Sequence, residues 1–238
     1  MQSSQSLIDP LVKAVQAGDL VRIDEIVRGF SGIQKRKERA LQIQQGNRIL
    51  EEAALEKEEP AYLDYLQELA KEEVDALIAR LTAHYLTHED ERWIEAVLKI
   101  AGQLDRKSHQ SRVLSQVSRT LVDTGVRERR QVLIERGMGI LSRISFRKYR
   151  SALLIELVPA LINWGITTHD IQYHRRALEL VPEIGDVSER ADLHCNIVTA
   201  MVTIGIAERN LSIVYEALKS ASAILQNCLL YTSDAADE

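Results

Sequence analysis

Apolar residues in the C-terminal two thirds of the chain recur at intervals of three and four. Three such sets are Leu114, Val117, Leu121; Leu154, Leu157, Leu161; and, with a histidine in the first place, His194, Ile197, Met201. This spacing puts each set on one face of an α-helix. The sets lie forty residues apart, and a glycine follows each at the same interval: Gly125, Gly165 and Gly205. A glycine just after an amphipathic run can take the left-handed conformation that ends a helix, so helix ends are predicted there. A second run follows in the same phase. Its columns are Met138, Leu178, Leu218; Leu141, Val181, Ala221; and Ile144, Ile184, Ile224. Gly137, Ala177 and Ala217 form a column of small residues suited to close helix approach. An earlier copy reads Val74, Leu77, Leu81, then Leu98, Ala101, Leu104, with Tyr85 in place of the glycine. Four copies thus span about residues 70 to 227.

The repeating unit is helix, short turn, helix, short turn. One helical hairpin cannot bury both its faces, whereas stacked copies bury them against each other. The predicted fold class is therefore all-α, with αα-hairpin repeats stacked as an α-solenoid. Eight helices in antiparallel pairs are expected from about residue 60 to 227, with no strand. Upstream, residues 7 to 30 read as two short helices, the first ended by Gly18 and the second capped by Asp19. Residues 33 to about 57 read as a long polar helix. Leu41 is in phase with Leu81 and Leu121, but Gln34, Lys37 and Glu58 fall on columns that should be apolar, and Gly46 is one residue out of step. Residues 1–59 therefore read as a capping segment or degenerate repeat, and 60–227 as the solenoid. Pro60 suits the first position of a helix, expected to run unbroken to Leu86.

The segment Ala177-Leu178-Glu179-Leu180-Val181-Pro182 resembles the end of a tetratricopeptide unit, with Gly165 at the turn between its helices. The length of the unit, and Pro159 inside a first helix, resemble HEAT repeats. The chain is thus similar to the tetratricopeptide and HEAT-type αα-repeat proteins. It departs from the former in its period, forty against about thirty-four, and in mostly lacking that consensus's aromatic residues. The resemblance implies a protein-binding scaffold.

The last eleven residues, Cys228 to Glu238, break every preceding pattern. Written back into DNA, they resemble the read-through of a transposase-based sequencing-library adapter. They are read as a non-native tail, and the chain as a fragment of a longer protein cut near Asn227. An uncapped last hairpin, exposing part of an apolar face and inviting self-association, is then expected.

Composition narrows the function classes. Of 238 residues, 45% are hydrophobic and 27% charged, which excludes a disordered chain. No run of eighteen apolar residues is present, so no membrane span is expected. Residues Met1 to Ser6 are polar and uncharged, unlike a secretory signal. Two cysteines, Cys195 and Cys228, do not make a disulfide scaffold, so a reducing cytoplasm is expected. A net charge of −5 gives no overall attraction to nucleic acid or anionic membranes.

No phosphate-binding glycine loop, dinucleotide fingerprint or nucleophile elbow occurs. His84 and His88 are four apart and could offer two imidazoles from one helix face, which is half a tetrahedral metal site. His169, Asp170 and His174 form a weaker set. His194 and Cys195 are neighbours whose side chains diverge by about a hundred degrees on a helix, so they cannot pair as base and nucleophile. His194 instead stands in a leucine column, which predicts a partly buried structural role. Glu51-Glu52, Glu58-Glu59 and Glu72-Glu73 read as solvated helix faces. No catalytic, cofactor-binding or metal-binding residue is assigned, and no enzyme activity is expected.

Charge is unevenly placed. From Glu51 to Asp75 the chain carries a net −8, and from Arg127 to Arg150 a net +6. Arg129, Arg136 and Arg143 are spaced by seven, and Arg176 lies one repeat beyond Arg136. They are read as a stripe along one helix and its successor, the candidate site for an acidic segment of a protein partner. Nucleic acid is a weaker candidate because only Phe146 and Tyr149 supply aromatic surface there. The expected function is a non-enzymatic protein–protein interaction scaffold. The alternatives are a regulatory or helper domain of a larger enzyme or signalling protein, and nucleic-acid binding through the arginines. The oligomeric state is not legible.

Overall fold

The computed structural model describes residues 6–33, 35–69 and 71–234, with the side chains of 71, 72 and 223–234 left aside. The described residues form eleven α-helices and four short 3-10 turns, with no strand. They group into two packed units, Met1–Gln103 and Leu104–Glu238. The expected all-α architecture of helical hairpins is what is observed. Cys228 to Glu238, read above as a non-native tail, falls outside the described side chains.

The first unit holds α1 (Ile8–Ala17), α2 (Leu20–Gly29), α3 (Arg36–Glu56), α4 (Lys71–His88) and α5 (Glu91–Gly102). Gly18 ends α1 in the left-handed region, with φ at 71°. The Asp19 carboxylate then accepts the Arg22 N–H at 2.9 Å and caps α2. Gly46, which fits no column, is explained by packing. A Cβ there would lie 2.9 Å from the ring of buried Phe30, so α3 rests directly on that ring.

The helix expected to run from Pro60 to Leu86 is in fact broken. Pro60 opens a 3-10 turn, Pro60–Tyr65, and Leu66 is extended. Buried Asn47 of α3 holds the break open. Its Oδ1 accepts the Gln67 N–H at 2.9 Å, and its Nδ2 donates to the Gln67 carbonyl at 2.6 Å. A polar side chain buried in a helix finds here the partner that burial requires, and the partner is backbone that has left the helical state.

The second unit is three hairpins in strict register. Its first helices are α6 (Lys107–Glu128), α8 (Arg147–Thr168) and α10 (Val187–Ala207), and its second helices are α7 (Gln131–Ile140), α9 (Ile171–Leu180) and α11 (Leu211–Asp234). Starting residues recur every forty positions in both series. Each first helix packs on its own second helix, and α8 packs between α6 and α10. The predicted columns form the core: Leu114, Leu121, Leu154, Leu157, Leu161, Ile197 and Met201 are all buried. Eight α-helices follow residue 60, as the periodicity predicts.

The glycine column has a different role from the expected one. Gly125, Gly165 and Gly205 lie inside the last turn of their helices and are not the left-handed residues. Those are Arg129, His169 and Arg209, with φ of 57°, 56° and 52°, and Glu89 at 56° holds the same place after α4. Each glycine carbonyl accepts the N–H five residues on: Arg130 at 2.8 Å, Asp170 at 3.0 Å and Asn210 at 2.8 Å. These are the six-to-one bonds of a Schellman ending. What demands glycine is the second helix, which crosses where a Cβ would sit. At Gly205 that Cβ would be 2.7 Å from Val214 Cγ2 and 3.1 Å from the Val214 nitrogen.

The residue after each left-handed position begins the second helix. Asp90, Asp170 and Asn210 cap α5, α9 and α11, accepting from Arg92 at 3.0 Å, Gln172 at 2.9 Å and Ser212 at 3.1 Å. Arg130 stands in the same column and supplies no side-chain cap to α7. Asp170→Ala is expected to cost about 1 kcal/mol, the usual effect of losing such a cap, measurable as a lower urea midpoint with unchanged slope.

Candidate binding surface

The second helices carry the candidate arginines, but not as a stripe on one long helix. The helix α7 spans only ten residues, about 15 Å. Arg129 precedes it in the left-handed turn, Arg136 lies within it, and Arg143 follows in the 3-10 turn Leu141–Arg143. Seven-residue spacing thus overstated the helix, since Arg129 and Arg143 lie outside it. Val132, Arg136 and Gly139 are separated by four and three residues, so they share one side of α7, and Arg143 follows in the 3-10 turn. Val132 is 64% exposed, Gly139 and Arg143 are exposed, and Arg136 is half-buried. Nothing lies within 4 Å of the place where a Gly139 Cβ would be.

Arg176 is engaged across the repeat boundary. Its guanidinium pairs with Glu135 of α7 at 2.5 Å, and the Tyr173 hydroxyl donates to the same carboxylate at 3.2 Å. Burial and the neighbouring Glu135 charge push the Tyr173 phenol up from its ordinary value. At the next boundary Arg175 of α9 pairs with Glu216 of α11 at 2.8 Å. The two boundaries use equivalent positions with opposite polarity. The earlier position is Glu135 and then Arg175, and its partner, forty-one residues on, is Arg176 and then Glu216. First helices add Arg119 to Glu156, at 2.5 Å.

The histidines take structural places. The His84 ring stacks against His88 and meets Trp93 edge-on, with centroids 4.2 and 4.3 Å away. Burial and the adjacent His88 lower its pKa. His194 is half-buried, as its column predicts, with Nε2 2.6 Å from the Ser220 hydroxyl. His174 is completely buried. It fills the place of Ile134 and Val214, and a Cβ on Gly165 would fall 2.3 Å from its ring. Its pKa is lowered by burial, which outweighs the Asp170 backbone and charge. Periodicity held the signal for this, since His174 lies forty residues from Ile134. Cys195 is exposed. Among the described residues no group of three or more His, Cys, Asp or Glu side chains comes together to hold a metal. Of the acidic pairs, Glu51 binds Arg80 and Glu52 binds Arg48.

One described helix, α8, is long and apolar enough to cross a membrane by length and composition. Its buried face, including Leu154, Leu157, Val158 and Leu161, packs against α6, α9 and α10. In the first unit a groove of about 580 Å³ lies between α3 and α4, lined by Gln44, Arg48, Leu66, Glu73 and Arg80 among others. Sequence reading did not find it. Its ends are bridged by Arg80 to Glu51 and by Gln44 to Glu73, the latter at 3.1 Å, so its polar walls already satisfy one another. Compared with protein-family models, curated proteins and solved structures, the chain shows no significant match.

Proposed function

We propose that this protein is a non-enzymatic scaffold of stacked helical hairpins that binds an acidic segment of a protein partner along the outward side of α7. The observation that carries this reading is Gly139. An exposed glycine within a helix costs about 0.5–1 kcal/mol relative to alanine, and no intramolecular contact requires it here. It leaves a bare stretch of helix between Arg136 and Arg143, where a partner backbone can lie close. The exposed Arg143 guanidinium at one side then donates charge-assisted hydrogen bonds, roughly twice as strong as neutral ones. Arg129, exposed at the hairpin tip, extends the basic line. Arg176 contributes less, because Glu135 already occupies it.

The test uses a fluorescein-labelled peptide of glutamates, with a lysine peptide as control, read by anisotropy. Binding of the acidic peptide alone, weakening with salt, is expected. The variant Arg129→Glu with Arg143→Glu alters two exposed side chains and is expected to keep the helical circular-dichroism spectrum. Its affinity should fall by about tenfold or more, at least 1.4 kcal/mol. Unchanged affinity in this folded variant would move the binding surface elsewhere.

A further inference from the structure

The first turns of α6 and α8 meet at one end of the second unit. The two helices pack on each other, and buried Ser111 of α6 accepts the Phe146 N–H at 3.1 Å, across 35 positions of sequence. Helix α6 also packs on the 3-10 turn that ends at Arg143. Around this contact stand Arg106, Lys107, Arg143, Arg147 and Lys148, all exposed, with Phe146 47% exposed among them. The Tyr149 ring lies beside that of Phe146, their centroids 6.2 Å apart.

Two features set these cations apart. Other guanidinium groups of this unit bind carboxylates across repeats, as Arg119 does with Glu156 and Arg150 with Glu183. Among the described residues, Arg106, Lys107, Arg143, Arg147 and Lys148 have no carboxylate partner. Four of the five also stand where a helix disfavours them. The start of a helix carries the positive end of its dipole and opposes cations. Yet Arg106-Lys107 opens α6 and Phe146-Arg147-Lys148 opens α8, with no acidic residue in either first turn and no side-chain cap. The equivalent start of α10 follows the ordinary rule, with Asp186 as its cap and Glu189 in its first turn. Helix stability therefore does not account for the basic residues on α6 and α8.

We infer that this end of the second unit binds single-stranded nucleic acid, with a base stacked on Phe146 and the flanking phosphates held by Arg106, Lys107, Arg147 and Lys148. An aromatic face set among cations suits such a ligand, because every base has a stacking face and every linkage a charge. An acidic peptide would use the cations and leave the Phe146 ring without a role. A flat anionic membrane would meet Asp186 and Glu189, exposed at the start of α10, which packs beside α8. A strand can follow the first two hairpins and pass those carboxylates by. The site goes beyond the basic line on α7 and meets it only at Arg143.

Anisotropy of a labelled oligothymidylate of about fifteen nucleotides, titrated with the full chain, tests this. Binding is expected, with log affinity falling against log salt at a slope of about −3, as neutralising four or so phosphates of a single strand gives. Lys107→Glu with Arg147→Glu should weaken it by about tenfold or more, and, independently, Phe146→Ala by about fivefold or more. These side chains are exposed, so helical circular dichroism should be retained. Arg209→Glu, an exposed arginine at the far end of α10, should leave the affinity within about twofold, since it lies beyond the screening length. Phe146→Ala should also leave binding of the glutamate peptide unchanged, which separates this site from the α7 line. No binding at low salt, or wild-type affinity in Phe146→Ala, would overturn the inference. Equal loss with Arg209→Glu, equal affinity for a duplex, whose paired bases offer Phe146 no face, or capture by phosphatidylserine vesicles in place of the oligonucleotide would overturn it as well.

Discussion

Replacing Gly125 by alanine is expected to destabilise the protein by a net 1 to 2 kcal/mol or so, while the same replacement at Gly139 is expected to stabilise it by up to about 1 kcal/mol. Both glycines belong to hairpin α6–α7 and both are helical, so helix propensity favours alanine equally in each. The difference is what the new methyl group meets. At Gly125 it would fall 2.7 Å from Ile134 Cγ1, 2.9 Å from the Ile134 nitrogen and 3.0 Å from the Arg130 carbonyl. Two of those atoms are backbone, so no side-chain rotation relieves the clash and the hairpin must part. At Gly139 it meets nothing. Urea denaturation of the two variants, compared with wild type, measures both effects. A Gly125→Ala protein as stable as wild type would show that close crossing does not set the hairpin spacing. The same experiment at Gly205, against Val214, should repeat the loss.

His174→Ile is expected to raise stability by about 1–3 kcal/mol and to flatten the acid side of the stability profile. The imidazole is fully buried, and its polar contact with the Asp170 backbone lies outside normal hydrogen-bond geometry. Leaving such groups unsatisfied costs about that much. Isoleucine is the residue at the equivalent place in α7, where Gly125 accommodates it. Burial lowers the His174 pKa from its ordinary 6.5, so the unfolded chain takes up the proton first. Stability is therefore full above about pH 6.5 and falls as pH drops from there towards the lowered pKa, at a limiting slope of about 1.4 kcal/mol per unit. His84 and His194, also lowered by burial, act with the same sign. The variant should therefore keep part of the slope. Stability curves measured from neutral pH down to pH 5 decide the matter: a variant with the wild-type slope would show that His174 does not carry the acid sensitivity.

The forty-residue period was legible because packing imposes it. Residues such as Leu121, Leu161 and Met201 must face inward in every copy, and burial tolerates few alternatives. The left-handed hairpin tips were not legible, because Glu89, Arg129, His169 and Arg209 share a backbone conformation and no side-chain chemistry. The glycine column stands four residues earlier and answers to a helix crossing that a single sequence does not display. The capping column Asp90, Asp170, Asn210 was present to be read, and the arginine in its fourth member obscured it. The break after Pro60 depends on Asn47, twenty residues upstream of the backbone it holds, which no local pattern reports. Among the candidate arginines, spacing gave order along α7 but not engagement. Nothing near Arg176 in sequence announces Glu135, which lies forty-one positions away.

The reversed polarity of the two boundaries bears on the order in which the hairpins assemble. Near-identical modules can dock out of turn, and misassembly of this kind is a characteristic failure of repeat proteins. Here the charges disfavour it. Were α10–α11 to dock directly on α6–α7, skipping the middle hairpin, Glu135 would confront Glu216. Were α8–α9 of one molecule to dock on α8–α9 of another, Arg175 would confront Arg176. Only the sequential order pairs Glu135 with Arg176 and Arg175 with Glu216. These half-exposed pairs add little to stability themselves. Their effect falls on the wrong arrangements, so shuffling the hairpins by gene rearrangement should yield slow, aggregation-prone folding until the charges are shuffled with them.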